Sequence, residues 1–372
     1  MAWFSGLQLG GVSMPFGLPP AIVLGFVLLV LGVIVKASRR PANEHDGQVQ
    51  LRQPEKSPPA QLAIEPLENF DWESVEPRQL RPFRSVYHIT MGLQADAPSE
   101  LITIDKDYLD RVNLRRSLIG LHGDRVHGCL PGGVEAVREL YTFLMADFLP
   151  TRFPTQFKLS DDKSQSKNMA TGKTHATTAP EDPTAALRVL GETVEEDMFL
   201  LHETPNGHMS VALICCFPSG FDPSAKLGRL LRDIHTPVPS YEKIGASMER
   251  FFSKMQVGKS VKRTNWAIQT HDRLFNCKSH GTEDDVSANE IIDIDQTFFR
   301  VELQTLTRLP QTRALLFSFK TYMYPIRQIK DEGLGPELAE AVEGLKSGNA
   351  PGMWTYKGSV RWARLICEYL RS

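Results

Sequence analysis

Residues 197–216 read DMFLLHETPNGHMSVALICC. Two apolar runs flank Pro205-Asn206-Gly207, and Asn-Gly between apolar runs is a strong hairpin signal because tight hairpin loops need positive φ. The stretch predicts two antiparallel strands, 197–202 and 208–216. Three further runs, 261–269, 298–306 and 313–322, are rich in β-branched or aromatic residues and read as strands. Helical spacing of apolar residues predicts helices over 105–121, 133–148, 183–190, 241–255, 337–345 and 359–370. Strands and helices do not alternate regularly, so the expectation is an α+β fold with about five antiparallel strands rather than a doubly wound parallel sheet. Residues 160–183 are poor in apolar side chains and read as a surface loop or insertion, and 271–295 as a polar excursion between strands.

The hairpin runs directly into FPSGFDPSAKLGRLLRDIHTPVPSY, residues 217–241. Asp222-Pro223 is an N-cap followed by proline at the first helical position, which predicts a helix from about 223 to 234. It should stop at His235, because Thr236-Pro237-Val238-Pro239 cannot continue it. A histidine there has a fixed direction. It either caps the last helical carbonyls or presents its ring to a ligand or substrate; the local sequence leaves both readings open.

Composition narrows the function classes. The 372 residues are 41% hydrophobic and 23% charged with a net charge of −2, so nothing favours a nucleic-acid partner. The five cysteines include an adjacent pair and no CxxC, which excludes zinc-finger spacing and a disulfide framework and points to a reducing compartment. Residues 1–35 carry no charged side chain, and 16–35 are apolar enough to cross a bilayer. Lys36, Arg39 and Arg40 follow at once, which keeps the following chain on the cytoplasmic side. The expected organisation is a single-pass membrane anchor at 1–36, a disordered linker at 37–68 and a cytoplasmic globular domain at 69–372, with the endoplasmic reticulum one candidate membrane.

There is no GxGxxG, Walker loop, HExxH or GxSxG, and Ser219 lacks the first glycine of a nucleophile elbow. Polar residues inside the strand patterns remain. Asn265-Trp266 lies in one strand; Arg300, Glu302, Gln304 and Arg308 alternate along the next; Lys320 and Tyr322 come from a third. Such a row is either a solvated sheet face or the lining of a polar pocket, where charges must be paired.

Assembled, these stretches resemble the haem-dependent oxidative N-demethylase alpha-subunit-like family. The resemblance rests on FRSVYHITMGL (83–93), IDKDYL (104–109), HGDRV (122–126), EED (195–197), CFPSGF (216–221), IHTPVP (234–239), Asn265-Trp266, Val301-Glu302 and Arg308-Leu309-Pro310. The N-terminal apolar segment marks a fungal-type, membrane-anchored variant. The resemblance implies a PAS-like antiparallel sheet with flanking helices that binds haem b and oxidises a small secondary or tertiary amine with dioxygen. Electrons would come from NADPH through a separate flavin and iron–sulfur reductase. It implies His235 as the iron ligand, with His88 as runner-up; Arg308 or Lys226 on the haem propionates; Trp266 beside the cofactor; Glu302 pairing the cationic amine; and Tyr322 or Asn265 near the distal face. The competing expectation is a non-catalytic haem or small-ligand sensor, or a scaffold, at a membrane.

Overall fold

The computed structural model describes residues 63–278 and 292–372, all within one unit, Ser57–Ser372. The expected anchor, most of the linker and part of the 271–295 excursion lie outside the described residues. No helix among the described residues is long and apolar enough to cross a membrane.

Among the described residues ten strands follow one another: β1 (Gln94–Asp96), β2 (His127–Cys129), β3 (Phe157–Leu159), β4 (Gln165–Asn168), β5 (Thr174–Ala176), β6 (Asp197–Thr204), β7 (Gly207–Ile214), β8 (Ser260–Gln269), β9 (Phe298–Arg308) and β10 (Leu315–Pro325). Seven of them form one sheet in the order β1-β8-β9-β10-β6-β7-β2, antiparallel at every step. The fold class is α+β, as the hairpin and the irregular helix spacing predict. The hairpin closes through Pro205-Asn206, with Thr204 opposite Gly207. Gly207 takes φ 114°; a Cβ there would stand 2.8 Å from Glu249 Oε1, so the glycine also admits a close carboxylate.

Side chains alternate between the two sheet faces. On the back face, Trp266, Val301 and Tyr322 stand in register. Beyond them Phe299 and Ile268 pack with residues of the helices Gly335–Glu343 and Ser359–Arg371. The other half of the back face, with Met198, Leu200, Ala212 and Leu316, packs beneath Val137, Leu140 and Leu187. Each fully buried Leu, Ile or Phe contributes about 1.5–3 kcal/mol. Ser359–Arg371 is amphipathic, burying Trp362, Ala363, Ile366, Cys367 and Leu370 at three- and four-residue spacing. It crosses the preceding helix tightly: a Cβ on Gly335 would meet the Leu370 carbonyl at 2.2 Å. The front face carries Arg263, Asn265, Glu302, Gln304 and Thr321. It is covered in part by residues of 217–241 and by the helix Gly245–Lys254, through Leu231, Phe252 and Phe221.

Two expectations fail locally. Residues 160–183 are not a plain loop: β3, β4 and β5 form a three-stranded sheet, in which Gln165 and Lys167 face solvent while Ser166 and Asn168 are buried. The helix expected over 223–234 is absent. After the 3-10 turn Ser224–Lys226, Gly228 at φ 75° turns the chain. Arg229 and Leu230 then pair with the edge of β7: the Ser210 N–H donates to the Arg229 carbonyl at 3.0 Å, and Leu230 bridges Met209. Only Leu231–Ile234 is helical. A β-edge that needs its hydrogen bonds outweighs the local helix signal.

Candidate functional site

Two buried cations hold the start of 217–241. Arg115, fully buried, pairs with Asp197 at 2.5 Å and donates to the carbonyls of Gly191, Glu195 and Glu196. The Asp197 carboxylate in turn accepts the N–H groups of Cys216 (2.7 Å) and Phe217 (2.8 Å). Arg300 donates to the Phe217 carbonyl at 2.6 Å and to the Leu274 carbonyl at 3.1 Å. The first residue of the alternating row is therefore an anchor for the backbone. Cys215 and Cys216 are buried core thiols. Burial pushes Cys216 up to about 12 and raises Cys215 well above the ordinary thiol range, so neither is available as a thiolate near neutral pH.

His235 ends the single turn Leu231–Ile234. Its Nδ1 lies 2.8 Å from the Leu231 carbonyl. A carbonyl only accepts, so Nδ1 carries the proton and Nε2 keeps its lone pair. The ring stacks on Tyr241, with centroids 4.7 Å apart and planes 4° apart. Burial depresses its pKa; the Leu231 bond opposes this, and Lys226 and Arg263 reinforce it. A neutral, aimed imidazole results. The Lys226 ammonium donates to the Ile234 carbonyl at 3.1 Å, and burial lowers its pKa.

Across the front face, Glu302 is 7% exposed. Its Oε2 accepts from Gln304 at 2.9 Å and from Asn265 at 3.4 Å. Three cations are near it, and none has an ion-pair partner among the described residues. Arg263 has a buried Nε without a hydrogen-bond partner; burial lowers its pKa, opposed by Tyr87 and Glu302. Lys357 is 4% exposed, and burial pulls it down to about 8 against the attraction of Glu302. Arg300 is likewise depressed by burial, opposed first by Glu302. A buried cation excess around one carboxylate suits a ligand carrying anionic groups. With the Nε2 of His235, which makes no hydrogen bond among the described residues, the neighbouring Arg263 and Lys226 fit haem, which needs one axial nitrogen and partners for two carboxylates.

Not all the expected residues meet there. Glu302 and Asn265 are neighbours on the front face, with Lys226 and His235 together on the covering segment. Trp266 and Tyr322 stand opposite Val301 and so lie on the back face, a period-two consequence of flanking Asn265 and Thr321. Trp266 packs on Phe299. The buried Tyr322 hydroxyl, pushed up to about 12 by burial, borders two cavities of about 500 and 270 Å³. Neither cavity is lined by a histidine, so neither offers haem an axial ligand despite its size. Arg308 donates to the carbonyls of Phe252, Met255 and Arg313; it closes the C-terminal end of Gly245–Lys254 and has no donor directed at His235. His88 is exposed, and the ring of His122 stacks on Phe275.

Two site residues, and one buried histidine elsewhere, escape the sequence reading. Arg263 was accessible to it, two residues before Asn265 and hence on the same face. Lys357 sits at the corner between Met353–Tyr356 and Ser359–Arg371, where Gly358 takes φ 70°, and no pattern links it to Asn265. His208 is fully buried, with Nδ1 2.6 Å from Glu249 and Nε2 without a partner. Its ring meets Phe252 edge-on in an apolar cluster with no free cation, a poorer setting for an anionic cofactor.

An antiparallel α+β body with an aimed neutral histidine beside buried cations is compatible with a haem protein. The chain matches the family model described as haem-dependent oxidative N-demethylase, alpha subunit-like, over residues 92–367, and it belongs to that family.

Proposed function

We propose that the protein is a haem-dependent monooxygenase that oxidatively N-demethylates a small secondary or tertiary amine, its electrons supplied from NADPH by a separate flavin and iron–sulfur reductase. The observation that carries the reading is His235, whose Nδ1–H is committed to Leu231 and whose Nε2 makes no hydrogen bond among the described residues, beside Arg263 and Lys226. In this reading His235 holds the iron, and Arg263 and Lys226 take the haem carboxylates. Bound haem supplies dioxygen activation.

The chain's own residues orient the amine. The Glu302 carboxylate, one oxygen of which is held by Asn265 and Gln304, accepts an N–H of the protonated amine and places its N-methyl group. The net change consumes the amine, dioxygen, two electrons and two protons, and yields the demethylated amine, formaldehyde and water. Glu302 speaks for a substrate over a non-catalytic sensor, because a buried carboxylate with an uncommitted oxygen is a recognition group for a cation. The sequence carries no dinucleotide fingerprint and no CxxC, hence the separate reductase. A PAS-like body held at a membrane surface by the N-terminal apolar segment, facing the cytoplasm, completes the proposal.

The test is the optical spectrum of the protein loaded with haem. His235→Ala is expected to lose most of the Soret absorbance, and His208→Ala to keep it; the reverse pattern, or an unchanged spectrum in His235→Ala, refutes the ligand assignment. NADPH-dependent formaldehyde release from dimethylamine with a surrogate reductase tests the activity, and haem binding without release leaves the sensor reading.

A further inference from the structure

We propose that Lys357 is a positioning residue for Glu302, acting through the Asn265 side-chain amide, so that the C-terminal helices take part in amine recognition. The inference rests on the amine-oxidising reading above.

The geometry is a directed chain across three elements. The Lys357 ammonium donates to the Trp266 carbonyl and to Asn265 Oδ1, the latter at 3.3 Å. An ammonium has donors and no acceptor, so the Asn265 amide has only one sensible orientation: Oδ1 toward Lys357 and Nδ2 toward Glu302. Asn265 Nδ2 then reaches Glu302 Oε2 at 3.4 Å, where Gln304 Nε2 also donates at 2.9 Å. Two amides thus occupy one carboxylate oxygen, and Oε1 accepts no hydrogen bond from any described residue. That oxygen is left for a substrate N–H.

Lys357 differs from the other buried cations. Arg115 and Lys320 each pair directly with carboxylates, at 2.5 Å to Asp197 and at 2.7–2.8 Å to Glu195 and Asp105. Lys357 has no such pair, although its burial penalises the charged form. The charged groups facing it are Glu302 from β9, which favours its charge, and Arg263 from β8, which opposes it. The ammonium also lies 5.0 Å from the centre of the Trp266 ring, and its bond to Asn265 Oδ1 is the contact that carries its charge to the front face. Through that bond the cation fixes the Asn265 amide beside Glu302.

Without the ammonium, Asn265 is free to flip and present Oδ1 to Glu302, acceptor against acceptor. The expected loss is about tenfold in affinity for a protonated amine, the size of one charge-assisted hydrogen bond.

The experiment measures dimethylammonium binding to the haem-loaded full-length chain by calorimetry and by the shift of the haem absorption. Lys357→Met should keep its haem content and bind dimethylammonium about tenfold more weakly. In a Glu302→Gln background the same substitution should have no further effect, since the carboxylate it positions is gone. Asn265→Leu, which removes both links, should reproduce the loss and serves if Lys357→Met does not fold. Unchanged affinity in Lys357→Met, or a tenfold weakening that persists in the Glu302→Gln background, overturns the proposal. Failure of the wild type itself to take up haem or to bind dimethylammonium overturns the functional reading and this inference together, and is seen before any variant is made.

Discussion

Replacing Lys357 with methionine should cost far less stability than deletion of a buried, hydrogen-bonded charge suggests. The ammonium is drawn down from 10.5 to about 8 by burial. That difference of about 2.5 pH units corresponds to about 3 kcal/mol opposing the charged form in the folded protein. Methionine keeps the stem volume and removes this penalty, but leaves the Trp266 carbonyl and Asn265 Oδ1 without their donor, at about 1–3 kcal/mol. The two effects nearly cancel at pH 7, so Lys357→Met should lie within about 2 kcal/mol of the wild type. The sign of the pH dependence is sharper. With the folded pKa depressed, the wild-type penalty is fully present below about pH 8 and disappears as the pH rises to about 10.5, where the lysine is neutral in both states. The wild type should therefore gain about 3 kcal/mol on Lys357→Met between those limits. Urea unfolding of both proteins, followed by tryptophan fluorescence from pH 7 to 10.5, measures the difference directly. A deficit of several kcal/mol in the variant that does not change with pH would refute the reasoning.

Glu196 behaves oppositely, and this sets a second expectation. Burial, opposed by Lys320 and reinforced by Glu195, lifts its carboxyl to about 7, while Oε2 has no partner. A raised acid favours folding at low pH and loses that contribution as the pH climbs through about 7. Glu196→Gln should thus match the wild type near pH 5 and exceed it by about 3 kcal/mol near pH 8 in the same urea assay. Arg115→Met strips the partner from buried Asp197 and three carbonyls and should lower the unfolding free energy by about 3–5 kcal/mol, visible as a fall in the urea midpoint. Tyr322→Phe alters a hydroxyl on the back face, away from Glu302, and should leave haem uptake and amine turnover within about twofold, because no contact made only in the transition state is lost; a tenfold fall in kcat would place the tyrosine in the chemistry.

The sheet was legible because its signals are local. The alternation in 197–216 and the β-branched runs of 260–325 mark strands from neighbouring residues alone, and antiparallel connections need no distant partner to be recognised. Face assignment was legible in principle from the same period of two. Asn265 and Glu302 share a face, whereas Trp266 and Tyr322, each one residue off that register, point the other way. The helix over 223–234 was misread because its cap and proline are real local signals, while the unpaired edge of β7 that claims Arg229 and Leu230 exists only once the sheet has formed. The three-stranded sheet of 157–176 was hidden for a related reason: short polar strands carry no hydrophobic period.

For the site, the sequence alone determined a histidine with a fixed direction, a row of polar residues on β9, and a family resemblance that the match over residues 92–367 establishes. The tertiary structure decided what those residues meet. It gave His235 a proton on Nδ1 by placing the Leu231 carbonyl at 2.8 Å. It spent Arg308 and Arg300 on backbone carbonyls, and it brought Lys357 across 92 positions of chain to Asn265. Hydrogen-bond direction and charge pairing depend on distances of a few ångströms between segments far apart in sequence. No local pattern encodes such distances; the packing of helices on both faces of the sheet sets them.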